Sequence, residues 1–180
     1  MSDVERIESD RLILSPLTPE QGEAFADNHR DAQPWAPDFP TEGDLRQAHI
    51  LRDNPRRAVG PRNPWGPYTL IERQTNLMIG GIGFKGSPDA EGSIEIGYGI
   101  CPSRQGLGLM SEAVGRLCHL ARAKGARRIT AETERANGAS QRVLEKCGFE
   151  RFSEENGSIW WHFELLSDEV LDKVVSTHLQ

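Results

Sequence analysis

The chain has 180 residues, 37% of them hydrophobic and 27% charged, with a net charge of −6. That length and composition fit one globular domain with its own core, and they exclude a disordered polyelectrolyte. The acidic balance argues against a general nucleic-acid binder, so any anionic ligand must be met by local features.

The start, Met1 to Arg11, is acidic and polar and does not read as a signal peptide. Arg11 to Leu17 reads as a first strand that ends near Pro16. Thr18, Pro19 and Gln21 then form a helix start, with Thr18 as cap, Pro19 at the first helical position and Gln21 closing a capping box. Residues 34 to 67 hold seven of the eleven prolines together with Trp35 and Trp65, interrupted by a short helix from Glu42 to Arg52. A segment this rich in proline and aromatics is neither main core nor flexible linker. Residues 30–67 are therefore expected to form a structured lid over a binding site.

From Tyr68 the pattern becomes that of strands. Tyr68 to Arg73 and Leu77 to Lys85 flank a Thr75–Asn76 turn, a hairpin signal. Ser93 to Cys101 alternates, with Ile94, Ile96, Tyr98 and Ile100 on one face and Glu95, Gly97, Gly99 and Cys101 on the other. A helix follows from Gly108 to Lys124, with Gly125 as its stop. Then come a strand from Arg127 to Thr133 and a helix from Asn137 to Lys146. A hairpin follows, Phe149 to Glu154 and Ser158 to Leu165 about Asn156–Gly157. A short terminal helix from Ser167 is expected to turn Val170, Leu171 and Val174 inward. The order predicts a mixed α/β sheet, antiparallel first, with one or two parallel crossovers later.

Cys101, Cys118 and Cys147 are widely spaced and odd in number, so neither a disulfide framework nor a metal-binding pair is expected. Free thiols suit a reducing cytoplasm. The most apolar stretches are too short to span a bilayer.

The segment carrying chemistry is Gln105-Gly106-Leu107-Gly108-Leu109-Met110, between a strand and a helix. Small residues let the backbone approach a ligand, and the helix start offers unpaired N–H groups and a positive dipole end, a site for phosphate. A plain glycine-rich turn is the alternative. Gly81 to Gly86 also fits the dinucleotide-binding pattern literally, but Ser87–Pro88 follows where a helix should begin, so that match is spurious.

Two further stretches define the pattern. One is Asn137-Gly-Ala-Ser140 followed by Val143 to Phe149. The other is the opening run from Asp10 to Glu20. With the glycine loop, they make the chain resemble the GNAT superfamily of acyl-CoA-dependent N-acyltransferases, and more closely its Rim-type branch, which includes acetyltransferases of ribosomal-protein N-termini. The resemblance runs from about residue 8 to 166.

It implies an α/β (α+β) fold with a mixed, mostly antiparallel sheet whose central strands splay apart. It also implies acetyl-CoA as acyl donor and, as often in the family, a homodimer. The amides of Gln105, Gly106, Leu107, Gly108, Leu109 and Met110 would hold the pyrophosphate of coenzyme A, with Met110 departing from the small residue of the family pattern. Gly99, Ile100 and Cys101 would pair with the pantetheine arm, and Asn137 would touch it. Leu144 stands where many members carry a Tyr that protonates the leaving thiolate, and Ser140 matches a Ser given that role in some Rim-type members.

An amine acceptor must lose a proton before it attacks, and Glu95 is the candidate base, directly or through water. Arg104, Arg142 and Lys146 could add charge for the cofactor phosphates. Trp35, Asp38, Phe39 and Trp65 could line an amine pocket by charge and cation–π contact; aromatic plugs that pin the loop are the alternative. The expected function is acetyl transfer to a primary amine, a protein N-terminus or a small molecule, with no metal, nucleic-acid or membrane partner. A non-catalytic acyl-CoA-binding sensor of the same fold is the alternative, which the intact Glu95, Asn137 and Ser140 argue against.

Overall fold

The computed structural model describes residues 6–30, 34–60 and 63–165. The expected terminal helix from Ser167 lies outside them. In chain order the elements are β1 (Ile7–Glu8), β2 (Leu12–Pro16), α1 (Pro19–Ala26), α2 (Glu42–Asp53), β3 (Pro67–Glu72), β4 (Leu77–Phe84), β5 (Ser93–Ile100), α3 (Leu109–Ala123), β6 (Arg128–Glu134), α4 (Gly138–Lys146), β7 (Glu150–Glu155) and β8 (Ser158–Glu164). Single 3₁₀ turns sit at Pro55–Arg57 and Pro102–Arg104.

One eight-stranded sheet runs β1-β2-β3-β4-β5-β6-β8-β7. Every neighbouring pair is antiparallel except β5–β6. That one parallel pair requires a crossover, and α3 supplies it. The β5–β6 register covers only Ser93–Ile96 against Arg128–Ala131. Beyond Ile96, β5 continues paired to β4 through Gly97, Tyr98, Gly99 and Ile100, while β6 continues paired to β8 through Glu132, Thr133 and Glu134. The two strands therefore part, and one backbone edge of Gly97–Ile100 has no strand partner. The expected splay is present, and it opens the middle of the sheet.

Helices cover both faces. The stripe Leu109, Met110, Ala113, Val114, Leu117, Cys118 and Ala121 is buried along α3, which packs on β2, β4, β5 and α4. On the opposite face α1 packs on α2, and α2 on β4 and β5. The alternation in β5 matches this. Ile94 and Ile96 are buried on the α3 side, and a Cβ on Gly99 would stand 3.6 Å from Thr41 Oγ1 at the start of α2.

The helix ends follow from local chemistry. Thr18 and Thr41 each build a capping box, with Gln21 and Asp44 respectively. Left-handed glycines follow α3 at Gly125 (φ +87°) and α4 at Gly148 (φ +83°). Among the described residues no helix is long and apolar enough to cross a membrane.

Candidate active site

The splay leads into a cleft of about 1000 Å³. Its walls include Tyr98, Gly99 and Ile100 of β5, the loop residues Gln105, Gly106 and Gly108 with the first turn of α3, Asn137, Ser140, Arg142 and Val143 at α4, and Asp38, Thr41 and Glu42. Two loop glycines are required by conformation, since Gly106 and Gly108 both have φ +74°. Gly108 is the N-cap of α3 and offers no capping side chain, so the first-turn amides of the helix face the cleft without an intrahelical acceptor. Gln105 Nε2 donates to Ile100 O at 3.4 Å and ties the loop to the end of β5.

The loop is held from outside by a residue that pattern reading passes over. Arg11, at the foot of β2, donates Nη1 to Leu107 O at 2.8 Å. It also grips Glu112 of α3 through its backbone N (2.9 Å) and Nε (2.7 Å). The Leu107 side chain points to solvent, 54% exposed. Met110, the departure from the family pattern, turns its side chain into the core at 5% exposure, which leaves room beside its amide. Arg104 also borders the cleft, with its Nε held by both carboxylate oxygens of Glu72 at 3.1 Å. Arg142 and Lys146 line the cleft.

On the α4 side, Asn137 Oδ1 caps the helix by accepting from Ser140 N at 3.0 Å. Ser140 Oγ donates to Tyr98 Oη at 2.9 Å, and Tyr98 Oη donates to Ser140 O at 3.1 Å. Burial pushes the Tyr98 phenol up to about 12. Leu144 is fully buried and is not part of the cleft wall. Cys101 is also fully buried, and desolvation raises its thiol. It sits behind the wall formed by Gly99 and Ile100 rather than in it.

Glu95 stands on the other face of β5, outside the cleft wall, with Lys85 Nζ 2.5 Å from its Oε1. The Lys85 chain runs over Gly97, whose absent Cβ would lie 3.3 Å from Lys85 Cε.

The four aromatic and acidic residues of the proline-rich segment separate. Trp35 (8% exposed) and Phe39 (1%) are interior, packed edge-on with Phe25 and with each other at centroid distances of 5.2 to 5.8 Å. Trp65 packs edge-on against Phe84 at 5.1 Å. None of the three rings borders the cleft, and rings placed so pin the segment to the body instead of lining an amine pocket. Asp38 does border it, and it fixes the next turn by accepting from Ser103 N (2.7 Å) and Ser103 Oγ (2.8 Å), which hold its carboxyl below the usual range. Glu42, an exposed acid in the first turn of α2, also borders the cleft.

The family model of the acetyltransferase (GNAT) domain matches residues 11–150. The uncharacterized N-acetyltransferase YjdG of Bacillus subtilis is 37% identical over 83 residues, a stretch spanning 46% of this chain and 49% of that relative. The uncharacterized N-acetyltransferase YoaA of the same organism is 30% identical over 149 residues, 81% of this chain and 82% of the relative. Among solved structures, RimL, a ribosomal alpha-N-protein acetyltransferase in complex with coenzyme A, superposes with a TM-score of 0.63 at 19% identity, covering 89% of this chain and 98% of that one. The chain belongs to the GNAT acetyltransferase family, and with it to the acetyl-CoA-dependent acyltransferases.

Proposed function

We propose that this protein is an N-acetyltransferase that moves the acetyl group of acetyl-CoA to a primary amine by direct attack within a ternary complex. The observation that carries this reading is the continuity of the cleft. It brings together uncapped helix amides, an unpaired strand edge, a hydroxyl pair and the carboxylates of Asp38 and Glu42. Each stretch suits one part of the donor or acceptor.

The amides from Gly106 to Met110 bind the pyrophosphate, with the α3 dipole adding positive potential. Arg142 and Lys146 supply side-chain charge for cofactor phosphates. The pantetheine arm lies along the Gly99–Ile100 edge as an added strand, opposite Asn137. The thioester carbonyl is then near backbone N–H groups that stabilise the oxyanion. Ser140 protonates the leaving thiolate.

The acceptor enters at the mouth bordered by Asp38 and Glu42, whose carboxylates favour a cationic amine. That ammonium must give up a proton. Glu95 accepts it through water, since its own carboxylate holds Lys85. Acceptors of this chemistry include a protein N-terminus and a small-molecule amine.

Direct attack is tested by initial-rate kinetics and by intact mass of the enzyme. Intersecting double-reciprocal lines, and no mass gain on mixing with acetyl-CoA alone, are expected. Parallel lines with an acetylated enzyme would contradict the ternary mechanism.

A further inference from the structure

We propose that Tyr98 is a positioning residue for protonation of the thiolate, holding Ser140 through a hydroxyl pair that can reverse its direction of donation. This rests on the acetyl-transfer reading with Ser140 as the acid.

Tyr98 carries a hydroxyl on the apolar face of its strand. Tyr98 continues the apolar row Ile94, Ile96 and Ile100 of β5, where an aliphatic or phenylalanine side chain would fill the space. A hydroxyl there is costly unless it is bonded. The hydrogen bonds found for that hydroxyl among the described residues both go to one residue 42 positions later, at two different atoms: Ser140 Oγ at 2.9 Å and Ser140 O at 3.1 Å. Ser140 cannot drift away, because its N–H is held by Asn137 Oδ1 at 3.0 Å. Tyr98 and Ser140 both border the cleft, at the level where β6 has left β5.

Two acceptors within reach of one phenol hydrogen allow two arrangements. In the first, Tyr98 donates to the Ser140 carbonyl, and Ser140 Oγ–H donates to Tyr98 Oη. The serine hydrogen is then parked on the tyrosine and unavailable to the cofactor. In the second, Tyr98 donates to Ser140 Oγ across the same 2.9 Å, and the serine hydrogen is released into the cleft. The heavy atoms need not move.

Charge developing on sulfur favours the second arrangement. The amine nitrogen bonds to the thioester carbon, the C–S bond breaks, and its electron pair goes to sulfur. Sulfur takes the Ser140 hydrogen. Tyr98, now donating to Ser140 Oγ, stabilises the oxygen as it loses that hydrogen. The ammonium has already given one proton to Glu95 through water. The second, shed by nitrogen after attack, returns through solvent to Ser140. Two protons therefore leave nitrogen, one matched by the proton on sulfur and one released. Burial holds the phenol far above neutrality, so Tyr98 keeps its own proton throughout and acts by direction alone.

The test is a double-mutant cycle with Tyr98→Phe, Ser140→Ala and the pair, measured with acetyl-CoA and an amine the wild type accepts. Tyr98→Phe should lower kcat at least about tenfold, with KM for acetyl-CoA within about twofold of wild type. The double variant should be no slower than Ser140→Ala, because Tyr98 acts only through Ser140. Unchanged kcat in Tyr98→Phe, or losses that multiply in the double variant, would overturn the proposal. A wild type that transfers acetyl to no amine overturns the parent reading and this one together, which separates the two failures.

A second measurement avoids deleting the hydroxyl. The chain has two tyrosines. In a Tyr68→Phe background, difluorotyrosine incorporation therefore alters Tyr98 alone. The more acidic phenol should move the alkaline limb of kcat to lower pH than in unlabelled Tyr68→Phe. Superimposable profiles would also overturn the proposal.

Discussion

At the scale of single residues, the site depends on backbone conformation as much as on side chains. Gly108 is the sharpest case: at φ +74° an L side chain costs about 1–2 kcal/mol. Gly108→Ala should therefore weaken coenzyme A binding about tenfold by calorimetry, the cost falling on the loop geometry that presents the amides. Unchanged affinity would move the phosphate site elsewhere. Glu95→Gln should lower turnover at least about tenfold while leaving the acetyl-CoA dissociation constant unchanged. Equal turnover would remove Glu95 from the reaction. The glycine loop stands out as a local run, whereas Ser140 is singled out only through the family resemblance. Tyr98 was not legible: alternation assigns it to the apolar face, and its partner is 42 residues away. Trp35 and Phe39 mislead in the opposite sense. Aromatics in a proline-rich stretch read as ligand contacts, yet their rings pack on Phe25 in the interior.

At the scale of elements, α2 and the α3 loop are each latched by a long-range or buried polar contact. Asp44 is 7% exposed; its Oδ2 accepts from Thr41 N and Oγ1, and its Oδ1 sits where a Cβ on Gly81 would come within 2.6 Å. Asp44→Ala loses the cap and should cost about 1 kcal/mol, seen as a thermal midpoint lower by about 3 °C. Burial raises the Asp44 carboxyl, so the folded chain binds that proton more tightly than the unfolded chain does. Its contribution to stability is complete below the ordinary carboxylate pKa and is lost as pH rises through the folded value. Asp44→Asn keeps an acceptor for Thr41 and cannot ionise. It should gain stability relative to wild type as pH rises from about 4 to 7 in denaturant titrations. Arg11 latches the other element, and Arg11→Ala should raise KM for acetyl-CoA several-fold with kcat little changed. Element order, the Thr18 capping box and the Gly125 stop follow from short-range patterns. The two-residue β1 and the Arg11–Glu112 contact do not, since the first is too short for a period and the second spans 101 positions.

At the scale of the whole molecule, an acidic chain manages an anionic cofactor by geometry. The net charge is −6, and the positive features sit in one cleft: the α3 start, Arg142 and Lys146. The acids Asp38 and Glu42 border the same cleft, and Asp38 is tied to Ser103 just before the glycine loop. An antiparallel start followed by one or two parallel crossovers was legible from the sequence; the order of strands across the sheet was not. The splay beyond Ile96, which creates the cleft, was expected only through family resemblance, because no periodicity records where two strands stop pairing. The identity of the acceptor is written in side chains at the mouth, where pattern carries least.

The central claim is acetyl transfer to an amine through this cleft. Its most direct measurement is coenzyme A release from acetyl-CoA by the purified chain across a panel of peptides with free N-termini and small-molecule amines, with products read by mass spectrometry. The account predicts thiol release that depends on an amine and a product carrying one acetyl group on nitrogen. Tight acetyl-CoA binding with no acetylated product from any member of a broad panel would contradict it.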